Sequence, residues 1–252
     1  MLKYLKFGVC MKLFKTWLVE RYIAHRGFHD ENSPENTLAA FKNAIKLGYP
    51  IELDVQQISD GTIIVFHDIT LQRLTGKDGY AKNLVKKDLK DYKINNTDNY
   101  IPTFEEVLEL VNGQVPILVE IKNSNKVGDF EKTLWEILKK YKGDYAVQSF
   151  NPFSLEWFKI NAPKVLRGQL SSYYKGEDLS FFKKFFLKRM YFNKKVSQPD
   201  FIAYEAKTLP NKYVNKYKEL PLLAWTIRSQ EEYMRVLPYC DNIIFENFEP
   251  KL

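Results

Sequence analysis

The residues of this chain that could do acid–base chemistry are concentrated between positions 22 and 79. All the histidines of the chain lie in this stretch: His25, His29 and His67. Glu52 and Asp54 lie in it too, spaced two residues apart inside an apolar run. Imidazole titrates near neutral pH, so histidines placed close to paired acids indicate proton transfer as the chemistry of this stretch.

Residues 51–55 alternate between apolar and acidic side chains. Successive side chains of a strand point to opposite faces, so Glu52 and Asp54 are expected on the same face. The pattern is typical of an edge strand with a solvated polar face, and also of inward carboxylates that bind a hard cation such as Mg²⁺ or Ca²⁺. A similar run, 117–122, adds Glu120 near its end. Three acids at the ends of separate apolar runs favour the cation site.

Strand-like and helix-like stretches alternate along the chain, which predicts an α/β protein built as a (β/α)8 TIM barrel. The eight predicted main strands are residues 22–25, 51–56, 117–122, 145–149, 165–170, 201–204, 222–226 and 243–245. Functional sites in this fold lie at the C-terminal ends of the strands. The side chains expected to converge there are His25, Glu52, Asp54, Glu120, Gln148, Gln169, Glu205 and Trp225.

Local signals also predict where individual helices begin. Ser33 and Pro34 predict a helix start, because serine caps helix N-termini and proline is favoured in the first turn. Thr103 followed by Glu106 has the spacing of a capping box, which predicts a second helix start. Residues 210–218 are predicted to form a further helix.

Composition indicates one globular domain spanning residues 1–252. The chain is 45% hydrophobic and 27% charged, and its formal net charge is +7. A modest positive charge suits anionic small molecules, anionic lipid surfaces or nucleic acid. The sequence carries no helix-turn-helix, zinc-finger or ribonucleoprotein pattern, so no nucleic-acid partner is expected. Cys10 and Cys240 show no paired spacing, which argues against a disulfide framework and favours a reducing, cytoplasmic location.

Two segments bear on membrane contact. Residues 1–20 mix apolar side chains with lysines that interrupt every apolar run, which argues against a signal peptide. No run reaches the roughly 20 apolar residues of a transmembrane helix. Residues 1–20 are expected to form an amphipathic segment that lies at a membrane interface or docks at the bottom of the barrel, and docking is favoured. Residues 181–192 combine aromatic and basic side chains, which fits a peripheral contact with the inner face of a membrane or packing on the barrel wall.

Short motifs follow one another from about residue 22 to the C-terminus. They are His25-Arg26-Gly27, Pro34-Glu35-Asn36-Thr37-Leu38-Ala39-Ala40-Phe41, Glu52-Leu53-Asp54-Val55, Asp60-Gly61, Val65-Phe66-His67-Asp68, Leu71, Arg73, Thr75, Gly79, Ile101-Pro102-Thr103, Glu120-Ile121-Lys122, Gln148-Ser149-Phe150 and Trp225-Thr226. In this ordered combination the chain resembles the glycerophosphodiester phosphodiesterase family. The resemblance implies a small insertion at about residues 69–100, and hydrolysis of glycerophosphodiesters to sn-glycerol 3-phosphate and an alcohol.

The resemblance also implies roles for individual residues. Glu52, Asp54 and Glu120 would bind one divalent ion, Mg²⁺ or Ca²⁺, as Lewis acid and template at the phosphate. His25 and His67 would be the acid–base pair, with His25 assigned as base and His67 as acid. The neighbouring glycerol hydroxyl would attack phosphorus through a cyclic intermediate.

Four further residues are expected at the substrate. Arg26 and Lys122 are expected to contact the phosphate, Arg26 through its guanidinium fork, although Lys122 also fits a solvent-facing lysine. Gln148 and Trp225 are expected either to line the head-group pocket or to pack in the core. His29 has no assigned role, and a zinc site of all three histidines is disfavoured because acids lie nearby.

The chain departs from the family pattern at two places. Arg228 stands where a polar residue usually follows the Trp225-Thr226 pair, and Glu246 follows the last strand where the family often has Thr-Asp. These departures bear on substrate specificity, and two alternative functions stay open. One is lysophospholipase D-type hydrolysis at a membrane surface, assisted by residues 181–192. The other is a catalytically silent barrel that binds phosphorylated ligands.

Overall fold

The structure is a computed structural model that describes residues 16–123 and 126–251. Its single sheet has nine strands: β1 (Ile23–Ala24), β2 (Ile51–Gln57), β3 (Ile63–Val65), β4 (Ile117–Ile121), β5 (Tyr145–Ser149), β6 (Leu166–Ser171), β7 (Phe201–Glu205), β8 (Leu222–Ile227) and β9 (Asn242–Phe245). All strands except β3 pair in parallel. The pairing closes because β1 contacts both β2 and β9. The predicted eight-stranded parallel barrel is therefore confirmed.

The described α-helices comprise one that precedes the first strand and seven that lie in the connections between strands. They are α1 (Trp17–Glu20), α2 (Leu38–Leu47), α3 (Gln72–Thr75), α4 (Phe104–Val111), α5 (Asp129–Leu138), α6 (Pro152–Asn161), α7 (Phe181–Lys188) and α8 (Gln230–Val236). The predicted capping box is present at α4. The Thr103 hydroxyl accepts a hydrogen bond from the backbone N–H of Glu106 (3.2 Å), and the Glu106 carboxylate accepts one from the Thr103 N–H (2.8 Å). The two bonds give an acceptor to two backbone N–H groups that have no partner within the helix.

The first predicted helix begins four residues later than Ser33 and Pro34 indicate. Thr37 caps α2, and its hydroxyl accepts from the backbone N–H of Ala40 at 3.3 Å. The segment before it cannot be helical, because Asn36 has a φ of 58° in the left-handed region. This turn directs the Asn36 amide to Asp54, where Nδ2 donates to Oδ2 at 2.9 Å. The prediction was wrong because a long-range contact overrides the local capping signal.

The predicted helix at residues 210–218 is also wrong. The connection between β7 and β8 contains short 3-10 turns at Ala206–Thr208 and Val214–Tyr217. The Asn211 side chain accepts the backbone N–H groups of Tyr213 (2.9 Å) and Val214 (3.2 Å). Such local side-chain bonds give the backbone an alternative to helical hydrogen bonds.

A small apolar layer fills the lower half of the barrel. Its buried members are Leu18, Ile23, Leu118, Ala146, Leu170, Phe201, Ala203, Leu223 and Ile244. Gly168 makes room for the Phe201 ring, since a Cβ at this glycine would lie 2.1 Å from the ring. The second, larger apolar cluster lies between the strands and the surrounding helices.

Helix α1 closes the N-terminal end of the barrel. Leu18 is fully buried in the interior layer. Asn242, the first residue of β9, donates from Nδ2 to the carbonyls of Leu18 (2.8 Å) and Arg21 (2.6 Å). The described part of the predicted N-terminal segment thus docks at the bottom of the barrel, while residues 1–15 lie outside the described residues. Across residues 16–123 and 126–251, no helix is long and apolar enough to cross a membrane.

The stretch predicted as an insertion, residues 69–100, has an apolar core of its own. It contains α3 and two 3-10 turns, Ala81–Asn83 and Lys86–Asp91. Its buried side chains form one cluster with the ends of neighbouring elements: Ile58, Ile64, Phe66, Leu71, Leu74, Ala81, Leu84, Leu89, Ile94 and Ile101. The insertion is therefore a packed unit that adjoins the strand pair β2–β3.

Candidate active site

Strand alternation places the acids of β2 inside the barrel. Ile51, Leu53 and Val55 belong to the outer apolar cluster, so the side chains between them point inward. Glu52 and Asp54 are each 1% exposed. The solvated-edge interpretation of this strand is therefore excluded.

Glu52, Asp54 and Glu120 form an acid cluster near the C-terminal ends of β2 and β4. Asp54 is in register with Glu120 across these parallel strands. One carboxylate oxygen of each of the three residues lies within 4.8 Å of the others. Burial raises the pKa of Glu52 well above its ordinary value, and repulsion from Asp54 and Glu120 raises it further.

Two cations lie against this acid cluster. Lys122 Nζ is 3.2 Å from Glu120 Oε1 and 3.6 Å from Asp54 Oδ1. Arg26 Nε is 3.2 Å from Asp54 Oδ2. Burial alone would raise the pKa of Asp54, but the charges of Lys122 and Arg26 outweigh burial and hold this pKa below its ordinary range. When ionised, the three carboxylates exceed the two cations by one negative charge.

The acid cluster fits a hard divalent cation. Its donors are all carboxylate oxygens, which are the ligands that Mg²⁺ and Ca²⁺ prefer. Gln148 donates from Nε2 to Glu52 Oε1 at 3.3 Å. Its own Oε1 is buried and accepts no hydrogen bond from any described residue. A buried, repelling set of acids with an unused amide oxygen beside it is an environment that a bound cation would stabilise.

His25 follows β1 and has a different neighbour at each ring nitrogen. Nε2 lies 4.0 Å from Glu52 Oε2, so it faces the acid cluster. Nδ1 is hydrogen-bonded to the Glu246 carboxylate. Burial lowers the pKa of His25, and the hydrogen bond to Glu246 opposes that effect. Nε2 is therefore the ring nitrogen that can exchange a proton with a molecule bound at the acid cluster.

Glu246 is a site residue that sequence reasoning missed. It follows β9. Its Oε1 forms an ion pair with Arg228 Nε at 2.7 Å, and its Oε2 faces His25. Arg228 and Glu246 are the two positions noted as departures from the family pattern, and in the structure they pair with each other. An acid at the C-terminal end of the last predicted strand was the signal available in the sequence.

His67 follows β3, and the strand pair β2–β3 holds it in place. The Phe66 N–H donates to the Asp54 carbonyl at 2.9 Å. Gln56 Nε2 donates to the carbonyls of Phe66 (2.7 Å) and Asp68 (2.9 Å). The Nδ1 of His67 is 2.7 Å from Asp68 Oδ1, so its Nε2 stays available.

A chain of ion pairs runs from Asp68 to Arg26. Arg73 of α3 donates to both Asp68 oxygens (2.6 and 2.9 Å) and to both Glu35 oxygens (2.8 and 2.9 Å). Arg26 Nη1 donates to the same Glu35 at 2.6 Å. Burial would raise the pKa of Glu35, but hydrogen bonds from Arg73 and the charge of Arg26 lower it to about 2. Glu35 and Arg73 received no role from the sequence, although both belong to its quoted motifs.

Aromatic side chains form one wall of the barrel mouth. The Trp225 ring lies edge-on to Phe150 at 5.6 Å, and Phe150 contacts Tyr174 at 5.9 Å between ring centroids. Trp225 Nε1 is buried and finds no acceptor among residues 16–123 and 126–251. Gln169 precedes Leu170, whose side chain belongs to the interior layer, so strand alternation points the Gln169 side chain away from the barrel interior. Its Nε2 donates to the backbone carbonyls of Ser149 (3.1 Å) and Phe150 (3.3 Å), and its predicted convergence with the acids was wrong.

Helix α7 projects from the same end of the barrel. The helix covers Phe181–Lys188, and residues 189–192 of the aromatic and basic segment follow it. The carbonyl of Leu187 accepts from Ser171 at the end of β6 (3.0 Å), and that of Lys188 accepts from Tyr204 in β7 (3.2 Å). Phe181 and Phe182 are 75% and 73% exposed. Packing on the barrel wall therefore does not account for these aromatic side chains.

The arrangement combines three chemical capacities at one mouth. The acid cluster can hold a hard cation, Arg26 and Lys122 can attract an anion, and two imidazoles are each oriented by a carboxylate. A cation beside two proton-transfer groups is suited to displacement at an anionic ester.

Comparisons with known proteins agree with this geometry. The model of the glycerophosphoryl diester phosphodiesterase family matches residues 25–247. A glycerophosphodiester phosphodiesterase of Caldanaerobacter subterraneus subsp. tengcongensis is 39% identical over 160 residues, which cover 59% of this chain and 65% of the relative. A lysophospholipase D of Rattus norvegicus is 33% identical over 144 residues, which cover 52% of this chain and 45% of the relative. In both cases the chain spans less than two thirds of the relative's length.

Among solved structures, a phosphodiesterase of Oleispira antarctica in complex with the product sn-glycerol-3-phosphate has a TM-score of 0.74. The superposition covers 91% of this chain and 93% of that chain, at 23% sequence identity. At this level of identity the likeness concerns the fold, which is the same closed barrel.

Proposed function

The chain belongs to the glycerophosphoryl diester phosphodiesterase family, and on that premise we propose that it hydrolyses glycerophosphodiesters to sn-glycerol 3-phosphate and an alcohol. The observation that carries this proposal is the buried acid cluster with His25 Nε2 facing it 4.0 Å from Glu52. The relative named as a glycerophosphodiester phosphodiesterase and the structural neighbour described with sn-glycerol-3-phosphate support the same reaction class.

Glu52, Asp54 and Glu120 would hold one divalent cation, Mg²⁺ or Ca²⁺. When bound, it supplies Lewis-acid polarisation of a phosphoryl oxygen and a template for the reacting groups. The acid cluster and its two cationic neighbours carry one excess negative charge, so a divalent ion would leave one positive charge to meet a phosphodiester monoanion. The oxygen-only donor set supports a hard cation at this place.

In the proposed reaction His25 acts as base and His67 as acid. His25 Nε2 takes the proton of the glycerol hydroxyl as its oxygen attacks phosphorus, and His67 Nε2 gives a proton to the departing alcohol. Water then opens the cyclic phosphate, with His67 taking a proton from the water and His25 returning one to the glycerol oxygen. Both histidines end in their starting protonation states, and the products are glycerol phosphate and an alcohol.

Arg26 and Lys122 would bind and orient the phosphate. Both already lie against Asp54, so a bound phosphate oxygen would share cations that the acid cluster holds in place. Arg26 is further fixed by Glu35, which limits the freedom that its guanidinium loses on binding. Gln148 and Trp225 would line the side of the pocket that receives the rest of the substrate.

A second candidate substrate class is lysophospholipids presented by a membrane, which Phe181, Phe182 and Tyr191 favour. Tyr191 is 67% exposed, and Lys183, Lys184 and Lys188 belong to α7. Exposed aromatic rings next to lysines are typical of membrane-interface segments. A relative named lysophospholipase D supports the same substrate class. The contact would be peripheral, at the inner face of a membrane in the cytoplasm.

The first experiment measures release of glycerol phosphate from glycerophosphocholine and glycerophosphoethanolamine with Mg²⁺ or Ca²⁺, then with EDTA. Turnover that EDTA abolishes and that His67→Ala lacks is the expected result. A folded wild-type enzyme that turns over neither these substrates nor lysophospholipids would contradict the proposal and favour the barrel that only binds phosphorylated ligands.

A second experiment separates the two substrate classes. The variant Phe181→Ser/Phe182→Ser is compared with Ile160→Ser, which removes an equally apolar, 67% exposed side chain near the C-terminal end of α6. The membrane candidate predicts that only the α7 variant loses co-sedimentation with anionic vesicles and activity on vesicle-bound lysophospholipid. Equal vesicle binding by the wild type and both variants would contradict the membrane candidate, as would the absence of vesicle binding at low salt.

A further inference from the structure

A second cluster of metal-ligating side chains lies beside the acid cluster. One ring nitrogen of His25, one ring nitrogen of His29 and one Glu246 oxygen all lie within 4.8 Å of one another. His25 Nδ1 and His29 Nε2 both face Glu246 Oε2. Its chemistry differs from that of the acid cluster, because two of its three donors are imidazole nitrogens. His67 belongs to neither metal-ligating group found among the described residues. We call His25, His29 and Glu246 the histidine cluster.

His29 directs its ring nitrogen Nε2 at Glu246. Its Nε2 is buried and makes no hydrogen bond within the described part of the chain. It lies 3.5 Å from Glu246 Oε2. Two ligands of a tetrahedral Zn²⁺ at 2.0–2.1 Å from the ion lie roughly 3.3 Å apart. His29 and Glu246 therefore have almost the spacing that a shared zinc ion needs.

Glu246 is held so that one oxygen stays directed at the histidines. Arg228 Nε lies 2.7 Å from Glu246 Oε1, and Glu246 Oε2 faces both His25 and His29. A cavity of about 540 Å³ has His29 and Glu246 in its wall, which gives an ion a route to the cluster. An entry path and a braced carboxylate are features that a metal site requires.

We propose that His25, His29 and Glu246 form a second cation site that takes Zn²⁺ or a similar borderline divalent ion, and that its occupancy switches off the activity at the neighbouring acid cluster. Imidazole nitrogens suit zinc, whereas Mg²⁺ and Ca²⁺ select oxygen ligands, so the ion of the acid cluster does not compete. The inhibitory part of this inference rests on the proposed function, and the binding part does not.

Inhibition follows from the two faces of the His25 ring. In the metal-free cluster Nδ1 carries the proton towards Glu246, and Nε2 is free to accept one from the substrate. Coordination of Zn²⁺ at Nδ1 moves that proton to Nε2, because a neutral imidazole has only one N–H. The nitrogen that faces Glu52 then no longer accepts a proton.

The binding experiment titrates Zn²⁺ into the full chain in excess Mg²⁺ by calorimetry, with Co²⁺ absorption as an independent report of nitrogen ligation. One Zn²⁺ is expected to bind the wild type, and His29→Gln is expected to weaken its binding at least about tenfold. His67→Gln is the matched histidine control and should bind as the wild type does. Equal affinity in wild type and His29→Gln overturns the proposal, as does zinc binding that Glu52→Gln abolishes.

The activity experiment measures zinc inhibition of the Mg²⁺-supported reaction. His29→Gln is expected to keep the basal turnover and to need at least about tenfold more Zn²⁺ for half inhibition. Identical zinc inhibition in both proteins contradicts the switch. Absence of any basal turnover contradicts the proposed function instead, and the calorimetric result then stands by itself.

Discussion

His25 and His67 each place Nδ1 against a carboxylate that an arginine holds from its other side. For His25 the partners are Glu246 and Arg228, and for His67 they are Asp68 and Arg73. The first set joins residues 221 positions apart, whereas the second lies within seven consecutive positions. The same bracing is thus built once by closure of the barrel and once by a local turn.

The two sets also differ in burial and in connection. The side chains of His25 and Glu246 are 12% and 10% exposed, while that of His67 is 33% exposed. Arg228 is half exposed, and Glu246 is its ion-pair partner in the described structure. Arg73 continues through Glu35 to Arg26. The Nδ1 contact of His25 is shielded from solvent, whereas that of His67 belongs to a network of ion pairs that connects residues 68–73 with Arg26.

The largest expected effect tests whether the two histidines act as a unit. His25→Gln and His67→Gln should each lower kcat roughly 10²- to 10⁴-fold, because each removes one proton-transfer group. The double variant should be little worse than the poorer single variant, since groups that act together are strongly non-additive. Steady-state kinetics on all three proteins, with circular dichroism as the folding control, measures this. Full multiplication of the two losses would indicate independent roles.

The next effect compares the two bracing carboxylates. Glu246→Gln should lower kcat about ten- to a hundredfold, the worth of one buried hydrogen bond to a charged group. Asp68→Asn should cost less, because His67 is more exposed and water can replace the lost contact. Kinetics of the two isosteric variants measure the ranking. A larger loss of kcat in Asp68→Asn than in Glu246→Gln would show that burial does not make the His25 contact the more important of the two.

The same pair of variants makes a prediction about pH. Burial lowers the pKa of His25 and Glu246 partly restores it, so Glu246→Gln should lower that pKa further. A base works when deprotonated, and the acidic limb of kcat/KM should therefore move to lower pH. The pH–rate profile measures the shift, with Arg228→Gln as a control that keeps the carboxylate. An unchanged limb, or one moved to higher pH, would show that His25 is not the base.

The arginines should give smaller and unequal effects. Arg73→Gln breaks contacts to both Asp68 and Glu35, and kcat should fall about fivefold, corresponding to roughly 1 kcal/mol for a bidentate network. Arg228→Gln removes one half-exposed contact and should change kcat less than about twofold. Equal losses of kcat in the two variants would mean that the connection of Arg73 through Glu35 to Arg26 adds nothing to turnover.

The smallest effect concerns stability. Arg73 and Arg26 hold the folded-state pKa of Glu35 at about 2, below its ordinary value of 4.5. A lowered pKa stabilises the fold fully above about pH 4.5, and this contribution is lost as the pH falls towards 2. Urea unfolding should therefore show Glu35→Gln less stable than the wild type by about 1 kcal/mol at pH 7, with the gap narrowing below about pH 4.5 and closing as the pH reaches about 2. The exposed Glu105→Gln is the control, and a gap independent of pH would contradict this account.

Much of the fold and part of the site follow from local patterns. The period of two in residues 51–55 and 117–121 predicts which side chains enter the barrel, and Glu52, Asp54 and Glu120 do so. The start of α2 was missed, because the contact between Asn36 and the distant Asp54 outweighs the local capping signal.

The sequence by itself determined the alternation of strands and helices, the inward acids and the neighbouring pair His67 and Asp68, because hydrophobic periodicity and adjacency are local properties of a chain. Only the tertiary structure decided that Glu246 braces His25, that Arg228 holds Glu246, and that His29 joins them. These contacts exist because β9 pairs with β1 when the barrel closes. No local pattern encodes which strands become neighbours, since that depends on the register of the whole sheet.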